Sequence, residues 1–90
     1  EIGVIGLGGN GRAVVGQLLK DGAEPLVYDP DGRSVRRAVN VCATAAELCD
    51  RCDRIVVALD APADLTRLCN SIAPFVRPGQ IFIDLTDTSP

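Results

Sequence analysis

Ninety residues are enough for one domain but not for two, since globular domains commonly contain roughly 100–200 residues. Hydrophobic residues make up 47% of the sequence and charged residues 23%, a balance that supplies a core and argues against intrinsic disorder. The formal net charge of -3 argues against a general binder of nucleic-acid phosphates.

The sequence also lacks the marks of a membrane or secreted protein. No apolar run approaches the roughly 20 residues that a membrane helix needs, and no basic segment precedes an apolar one at the start. We therefore expect a soluble, cytoplasmic protein with no membrane partner. Histidine is absent, which removes the commonest general base and metal ligand. Because the sequence begins and ends beside apparent strands and has no methionine, we interpret it as a segment of a longer protein.

The four cysteines raise the question of a metal or redox site. Cys49 and Cys52 form a C-x-x-C pair, but a four-ligand zinc site needs a second close pair, and Cys42 and Cys69 stand apart. Free cysteine packs as a small hydrophobic residue, so we expect buried thiols and no metal ion. Cys69 is expected to face the core, because three apolar residues share its helical spacing. These are Leu65, Leu68 and Ile72.

Apolar runs alternate with amphipathic stretches along the first half of the chain. Residues 2–6 predict a strand, and the following helix is expected to end at Asp21-Gly22. Leu26–Tyr28 predicts a second strand, which ends at Asp29. A short helix is expected at residues 34–39 and a minimal strand at residues 41–43.

The second half continues the alternation. Thr44 and Glu47 have the S/T-x-x-E spacing of a capping box, so a helix is expected from there to about Arg51. Residues 55–59 form a continuous apolar run, which predicts a strand in the middle of the sheet and buried on both faces. A turn at residues 60–62 leads into the helix of Cys69, a second turn is expected at residues 77–79, and the last strand ends at Asp84.

Five strands alternating with helices predict a three-layer α/β/α fold. Right-handed βαβ crossovers give a doubly wound, Rossmann-like parallel sheet that is covered on both faces. Ligands of such sheets bind beyond the carboxyl ends of the strands, where the strand order reverses. The glycine-rich residues 6–11, Asp29, residues 59–60 and residues 84–87 all fall at these ends.

Residues 6–11 match G-x-G-x-x-G, follow the first strand directly and open a helix, with acidic Asp29 at close to the expected distance of about 20 residues. Gly6 is expected to allow a tight turn, Gly8 to let a pyrophosphate approach the backbone, and Gly11 to let helix and strand pack closely. The free amides and the dipole at the helix start stabilise phosphate without a lysine. We therefore predict dinucleotide binding rather than a purely structural loop.

Asp29 bears on the choice of cofactor. A carboxylate at this strand end is placed to accept hydrogen bonds from the ribose hydroxyls of NAD and to repel the 2′-phosphate of NADP. NADP stays open as a cofactor, because Arg33 lies four residues further on and is able to accept a phosphate. The alternative for Asp29 is a turn-initiating residue before Pro30. Arg12 is either a further phosphate contact or an exposed helix residue.

The sequence resembles the 3-hydroxyisobutyrate dehydrogenase-like β-hydroxyacid dehydrogenases, which are related to 6-phosphogluconate dehydrogenase. The resemblance covers the whole chain and rests on residues 2–11, 18–22, 27–29 and 83–90, the last similar to the family's D-x-S-T-x-S-P segment. Three positions depart from it: Asn10 replaces the usual methionine, Asp60 a proline and Asp87 a threonine. The last two add carboxylates near the expected site.

The resemblance implies the cofactor domain of an NAD(P)-dependent oxidoreductase that transfers a hydride between the nicotinamide and the hydroxyl of a small β-hydroxyacid. It also implies a homo-oligomeric parent whose catalytic lysine and asparagine lie in a later substrate and dimerisation domain, outside residues 1–90. We assign no catalytic residue here, and Lys20 is expected to be an exposed charge at a helix end. The predicted cofactor-binding residues are Gly6, Leu7, Gly8, Gly9, Asn10, Gly11, Asp29, Leu59, Asp60 and Thr86.

Two other functions remain open. One is a non-catalytic nucleotide-sensing domain, for which the carboxylates Asp60 and Asp87 argue. The other is the cofactor domain of a related dehydrogenase that acts on 6-phosphogluconate or reduces imines. If the sequence after Pro90 lacks a glycine-rich substrate loop and a helix with lysine and asparagine, a sensor is favoured over an enzyme.

Overall fold

The computed structural model describes residues 1–35 and 40–86. The elements in chain order are β1 (Ile2–Ile5), α1 (Gly9–Lys20), β2 (Leu26–Tyr28), α2 (Ala45–Arg51), β3 (Arg54–Val57), α3 (Pro62–Ile72), a short 3-10 helix (Ala73–Phe75) and β4 (Ile81–Asp84). Every helix in these ranges is too short or too polar to cross a membrane.

Within the described residues, four parallel strands form one sheet in the order β2-β1-β3-β4. β1 lies between β2 and β3, and its last residue, Ile5, is opposite Tyr28 on one side and Val57 on the other. Val57 is in turn opposite Asp84 of β4. The carboxyl ends of all four strands therefore meet at one edge, and the strand order reverses at β1, which is where ligands bind in doubly wound sheets.

The fifth strand expected at residues 41–43 is a single bridge. Val41 pairs in parallel with Val27, whose amide donates to the carbonyl of Asn40 and whose carbonyl accepts from the amide of Cys42. The backbone then leaves β2, because the amide of Ala43 already donates to Glu47 at the start of α2. Residues 34–35 are not helical, contrary to the expected short helix, and residues 36–39 lie outside the described ranges.

The sequence signals at the helix ends operate as expected. α1 ends at Lys20, which is exposed, and α2 ends at Arg51. The capping box forms, since the amide of Glu47 donates to Thr44 Oγ1 at 3.1 Å and the Glu47 carboxylate accepts from Ala43 at 2.9 Å. These local bonds fix where α2 begins.

Apolar residues pack on both faces of the sheet and give the predicted three layers. One cluster contains Val4 and Val27 and packs beneath Val15 of α1, whereas the other contains Ile55 and packs beneath Leu48 of α2 and residues of α3. β4 differs from the expectation of a sheet covered on both faces. All its residues are exposed, and Ile81, Phe82 and Ile83 retain 54%, 38% and 49% of their accessible surface, because β4 is the edge strand and contacts only β3 closely.

Three of the four cysteines, all of which lie in the described ranges, are buried as expected. Cys42, Cys49 and Cys52 belong to the core, and burial raises the pKa of the Cys52 thiol to about 11. Cys69 contradicts its prediction, since it is exposed. Cys69 lies with Leu65 and Leu68 along a groove between α3 and β4, a part of the apolar face of α3 that no described element covers.

Candidate functional site

The glycine loop between β1 and α1 has the geometry that its sequence predicts. Gly6 has a φ of 98°, a left-handed conformation that favours glycine, and a Cβ at this position would strike the carbonyl of Ala58. A Cβ at Gly11 would strike the carbonyl oxygen of Gly6. The chain therefore turns tightly at the end of β1, and α1 packs directly against that turn.

The start of α1 is open. Gly8 is the N-cap, and no side chain in the described part of the chain caps the helix or places a carboxylate in its first turn. A Cβ added at Gly9 would meet no described atom within 4 Å. Unpaired amides at a helix start, with the positive end of the helix dipole, form a favourable environment for an anion. Asn10 is held beside this opening, since its Nδ2 donates to the carbonyl of Leu85 at 3.1 Å.

Asp29, directly after β2, is fully buried at its side chain and fully hydrogen-bonded. Oδ1 accepts from the amide of Leu7 at 3.1 Å and from Arg33 Nη2 at 3.0 Å. Oδ2 accepts from the amide of Arg33 at 2.8 Å and from its Nε at 2.7 Å. Burial alone would raise the pKa of Asp29, but the hydrogen bonds from Arg33 and Leu7 outweigh it and hold the pKa below its ordinary value.

Arg33 links three carboxylates around the site. Besides Asp29, its Nη2 pairs with Asp60 at 3.1 Å and with Asp31 at 3.4 Å. Hydrogen bonds to Asp29 and Asp60 raise the pKa of the guanidinium, so it carries its charge at neutral pH. Sequence reasoning left open that Arg33 accepts a phosphate but missed this linking role. The i, i+4 spacing from Asp29 is a signal for the first pair only.

Asp60 follows β3 and lies against Gly8. A Cβ built on Gly8 would be 2.5 Å from Asp60 Oδ1 and 3.2 Å from Arg33 Nη1. The glycine face that was predicted to admit a pyrophosphate thus faces a carboxylate and a guanidinium. Only a residue without a side chain leaves room for both groups here.

The ends of β3 and β4 are joined by Thr86. Its Oγ1 accepts from the amide of Leu59 at 3.3 Å, and its own amide donates to Asp84 Oδ1 at 2.8 Å. Leu59 itself turns into the core, where it keeps 4% of its accessible surface. The segment after β4 therefore supports the end of β3, and Asp87, another position singled out from the sequence, lies outside the described residues.

Two depressions flank these groups at the carboxyl edge of the sheet. The smaller has a volume of about 120 Å³ and is lined by Gly9, Asn10, Ala58, Leu59 and Asp60. The larger, of about 410 Å³, lies beside the end of β2 and is bounded by Tyr28, Pro30, Asp31, Ala45 and, from α3, Asp64, Arg67, Leu68 and Ser71. The α3 residues were missed from the sequence, because no local motif shows which face of a helix borders a distant strand end.

All ten predicted cofactor-binding residues thus lie at one edge of the sheet, although they come from four separate segments. Their surroundings are the turn of Gly6, the open start of α1, the buried Asp29 and the Arg33 ion pairs. Four of them, Gly9, Asn10, Leu59 and Asp60, line the smaller depression beside the open start of α1. An anionic ligand fits this arrangement.

Solved structures with the same fold include three oxidoreductases. The 3-hydroxyisobutyrate dehydrogenase of Mycobacterium tuberculosis, with L-serine, has 23% identity and a TM-score of 0.79 over 98% of this chain and 32% of its own. An imine reductase variant from Myxococcus stipitatus, with NAD+, has 23% identity and a TM-score of 0.83 over 99% and 32%. The pyrroline carboxylate reductase of Plasmodium falciparum, with NADP bound, has 23% identity and a TM-score of 0.81 over 96% of this chain and 33% of its own.

The chain spans about a third of the length of these proteins, and at such identities the likeness establishes the fold. No curated protein matches the sequence. The family described as the NAD binding domain of 6-phosphogluconate dehydrogenase matches it over residues 1–90. The glycine turn, the open helix start and the carboxylate after β2 are the features by which such a domain holds a dinucleotide, and the chain belongs to this family of NAD-binding domains.

Proposed function

We propose that the chain is the cofactor domain of an oxidoreductase that transfers a hydride between NAD and the hydroxyl of a small β-hydroxyacid. The observation that carries the proposal is the glycine turn at the strand-order reversal, with Gly6 in a left-handed conformation and α1 open at its start. Family membership supports the cofactor, and the fold shared with a 3-hydroxyisobutyrate dehydrogenase supports the substrate class.

The residues present fit a dinucleotide along the edge of the sheet. The first amides of α1 would hold the pyrophosphate, because no side chain among residues 1–35 and 40–86 caps them and Gly9 leaves open space before them. Asp29 and the depression of about 410 Å³ would receive the adenosine half. Leu59, Asp60 and Thr86 would border the adenine-proximal ribose and the nicotinamide side. When bound, the cofactor supplies the hydride acceptor or donor, and the chain orients it and shields it from water.

The charges around Arg33 favour NAD over NADP in this proposal. Three carboxylates, those of Asp29, Asp31 and Asp60, surround a single guanidinium, so the region after β2 carries an excess of negative charge. A 2′-phosphate entering it meets that excess, whereas a ribose hydroxyl does not. Asp29 contributes to this preference through its charge, since its two oxygens already accept four hydrogen bonds from Leu7 and Arg33.

Calorimetric titration of the full-length protein with NAD and NADP tests the cofactor site. NAD is expected to bind at least tenfold tighter than NADP, a difference of about 1.4 kcal/mol, and Asp29→Ala is expected to erase the preference. Gly9→Asp puts a carboxylate at the proposed phosphate position and should weaken NAD binding at least tenfold. Gly16→Asp, at another open glycine of α1, is the matched control and should bind normally. Absence of binding by either dinucleotide contradicts the proposal.

A nucleotide-sensing domain is the second candidate, and the carboxylate of Asp60 against Gly8 favours it. The two functions differ in turnover. The enzyme is expected to reduce NAD in the presence of a small β-hydroxyacid such as 3-hydroxyisobutyrate, monitored by the absorbance of NADH. A full-length protein that binds NAD but turns over neither β-hydroxyacids, 6-phosphogluconate nor imines is a sensor.

A further inference from the structure

An ion pair crosses the face of the glycine loop. Arg33 comes from the segment after β2 and Asp60 from the end of β3, which lie on opposite sides of β1. Their side chains meet at 3.1 Å, in front of Gly8. We propose that Asp60 is an internal competitor for the cofactor phosphate: its carboxylate occupies the place at Gly8 and Arg33 that a phosphate oxygen takes when the dinucleotide binds. This inference rests on the proposed cofactor function.

The guanidinium of Arg33 is already oriented to receive a phosphate. Asp29 holds it by Nε and Nη2 at 2.7 and 3.0 Å, and the Asp29 side chain is fully buried, so this hold is rigid. The same hold directs Nη1 towards Gly8. Arginine binds phosphate oxygens with two N–H groups of its planar fork. Arg33 therefore keeps its hydrogen bonds to Asp29 when a phosphate binds. Only its pair with Asp60 is exchanged for the phosphate.

Asp60 is the partner that is able to leave. Its side chain is 52% exposed, whereas that of Asp29 is 0% exposed. Exposed ion pairs contribute little to stability, so releasing Asp60 into solvent costs little. The released carboxylate nevertheless stays close to the bound phosphate and repels it. Asp60 thus opposes the dinucleotide twice, by occupying Arg33 before binding and by repulsion after it.

Removal of the Asp60 charge is the first test. Asp60→Asn in the full-length protein is expected to tighten the binding of NAD at least tenfold in calorimetric titration. The control is Asp53→Asn, which removes another exposed carboxylate, but at the amino end of β3, away from the site. It should leave the affinity within twofold of wild type. If Asp60→Asn behaves like the control, the inference is wrong while NAD binding by the wild type still supports the proposed function.

A double-mutant cycle with Arg33→Gln separates competition from simple repulsion. If Asp60 occupies Arg33, the loss of Arg33 weakens NAD binding more in the Asp60→Asn background than in the wild type, because only there is Arg33 free for phosphate. If Asp60 merely repels phosphate, Arg33→Gln weakens NAD binding more in the wild type, because the Asp60 carboxylate then loses its neutralising partner. That result contradicts the inference. Arg33→Lys, which keeps the charge but not the fork, gives the same comparison if the glutamine variant unfolds.

If neither the wild type nor Asp60→Asn binds NAD or NADP, both the proposed function and the inference about Asp60 are wrong. Titration with ADP, which has the pyrophosphate but no nicotinamide, locates the effect. Asp60→Asn should tighten ADP as much as NAD, and a gain confined to NAD contradicts a competition at the phosphate.

Discussion

Gly11 and Gly16 lie in the same helix, α1, but only Gly11 is constrained by its surroundings. A Cβ at Gly11 would strike the carbonyl of Gly6, whereas one at Gly16 would meet nothing within 4 Å. We expect Gly11→Ala to lower the free energy of unfolding by about 3 kcal/mol through overpacking. Gly16→Ala should raise it by roughly 0.5–1 kcal/mol, because alanine favours the helix. Urea unfolding of both variants measures the difference, and equal effects would contradict the close packing of α1 on the turn.

Asp29 makes the free energy of unfolding depend on pH in the acidic range. Because its pKa is lowered in the folded state, its ionisation stabilises the protein above its ordinary pKa, roughly 3.9, and this contribution is lost as the pH falls towards the folded value. Asp29→Asn is expected to lower the free energy of unfolding by about 2 kcal/mol at pH 7, since Arg33 and the amide of Leu7 lose a charged acceptor.

The pH dependence distinguishes this effect from a packing defect. The unfolding free energies of wild type and Asp29→Asn should converge as the pH falls below the ordinary aspartate pKa, where wild-type Asp29 becomes protonated. Asp64→Asn breaks an exposed pair with Arg67 and serves as the control, with an expected loss of at most about 1 kcal/mol. A difference between Asp29→Asn and wild type that is constant with pH would contradict the ionic origin.

The role of a single residue can be predicted from the sequence where that residue acts through its own backbone. The roles of Gly6 and Gly11 were predictable, because a fingerprint of glycines encodes a turn and a close approach that only a missing side chain permits. The pairing of Arg33 with Asp60 was not. It joins residues from two strand ends, and their distance is set by the sheet order and not by any local spacing.

Among the elements, α2 depends most clearly on a local signal. Thr44→Ala removes the acceptor of the Glu47 amide and is expected to lower the free energy of unfolding by about 1 kcal/mol. Thr66→Ala is the matched control, because Thr66 lies inside α3 and its hydroxyl bonds back to the carbonyl of Pro62 without capping a helix. Thermal unfolding compares the two variants. If Thr66→Ala destabilises as much as Thr44→Ala, the cap does not determine the stability of α2.

Element boundaries were predictable where such local signals exist. The predictions were wrong where contacts with other elements determine the structure. The capping box fixed α2, and the apolar run at residues 55–59 gave a central strand, although β3 ends at Val57. The strand at residues 41–43 failed, because its last residue, Ala43, already takes part in the cap of α2. Cys69 failed because periodicity marks an apolar face without showing how much of it another element covers.

For the molecule as a whole, the uncovered β4 has a measurable consequence. Between α3 and β4 lies an apolar groove of about 510 Å³, lined in part by Leu65, Cys69 and Phe82. Residues 1–90 expressed alone should therefore be poorly soluble and self-associate with rising concentration, as seen by sedimentation velocity. Phe82→Thr should reduce the association, whereas Val41→Thr, at the opposite edge of the sheet, should not. A monomer at all concentrations would contradict this.

The central position of β1 also sets an order of events during synthesis. Ile2 pairs with Arg54, so β1 acquires its second neighbour only after β3 has emerged from the ribosome. At translation rates of about 5–20 residues per second, the apolar side chains of β1 wait several seconds without that partner. Of the four described strands, β1 is thus made first and completed late, and its edge waits for β3 throughout those seconds.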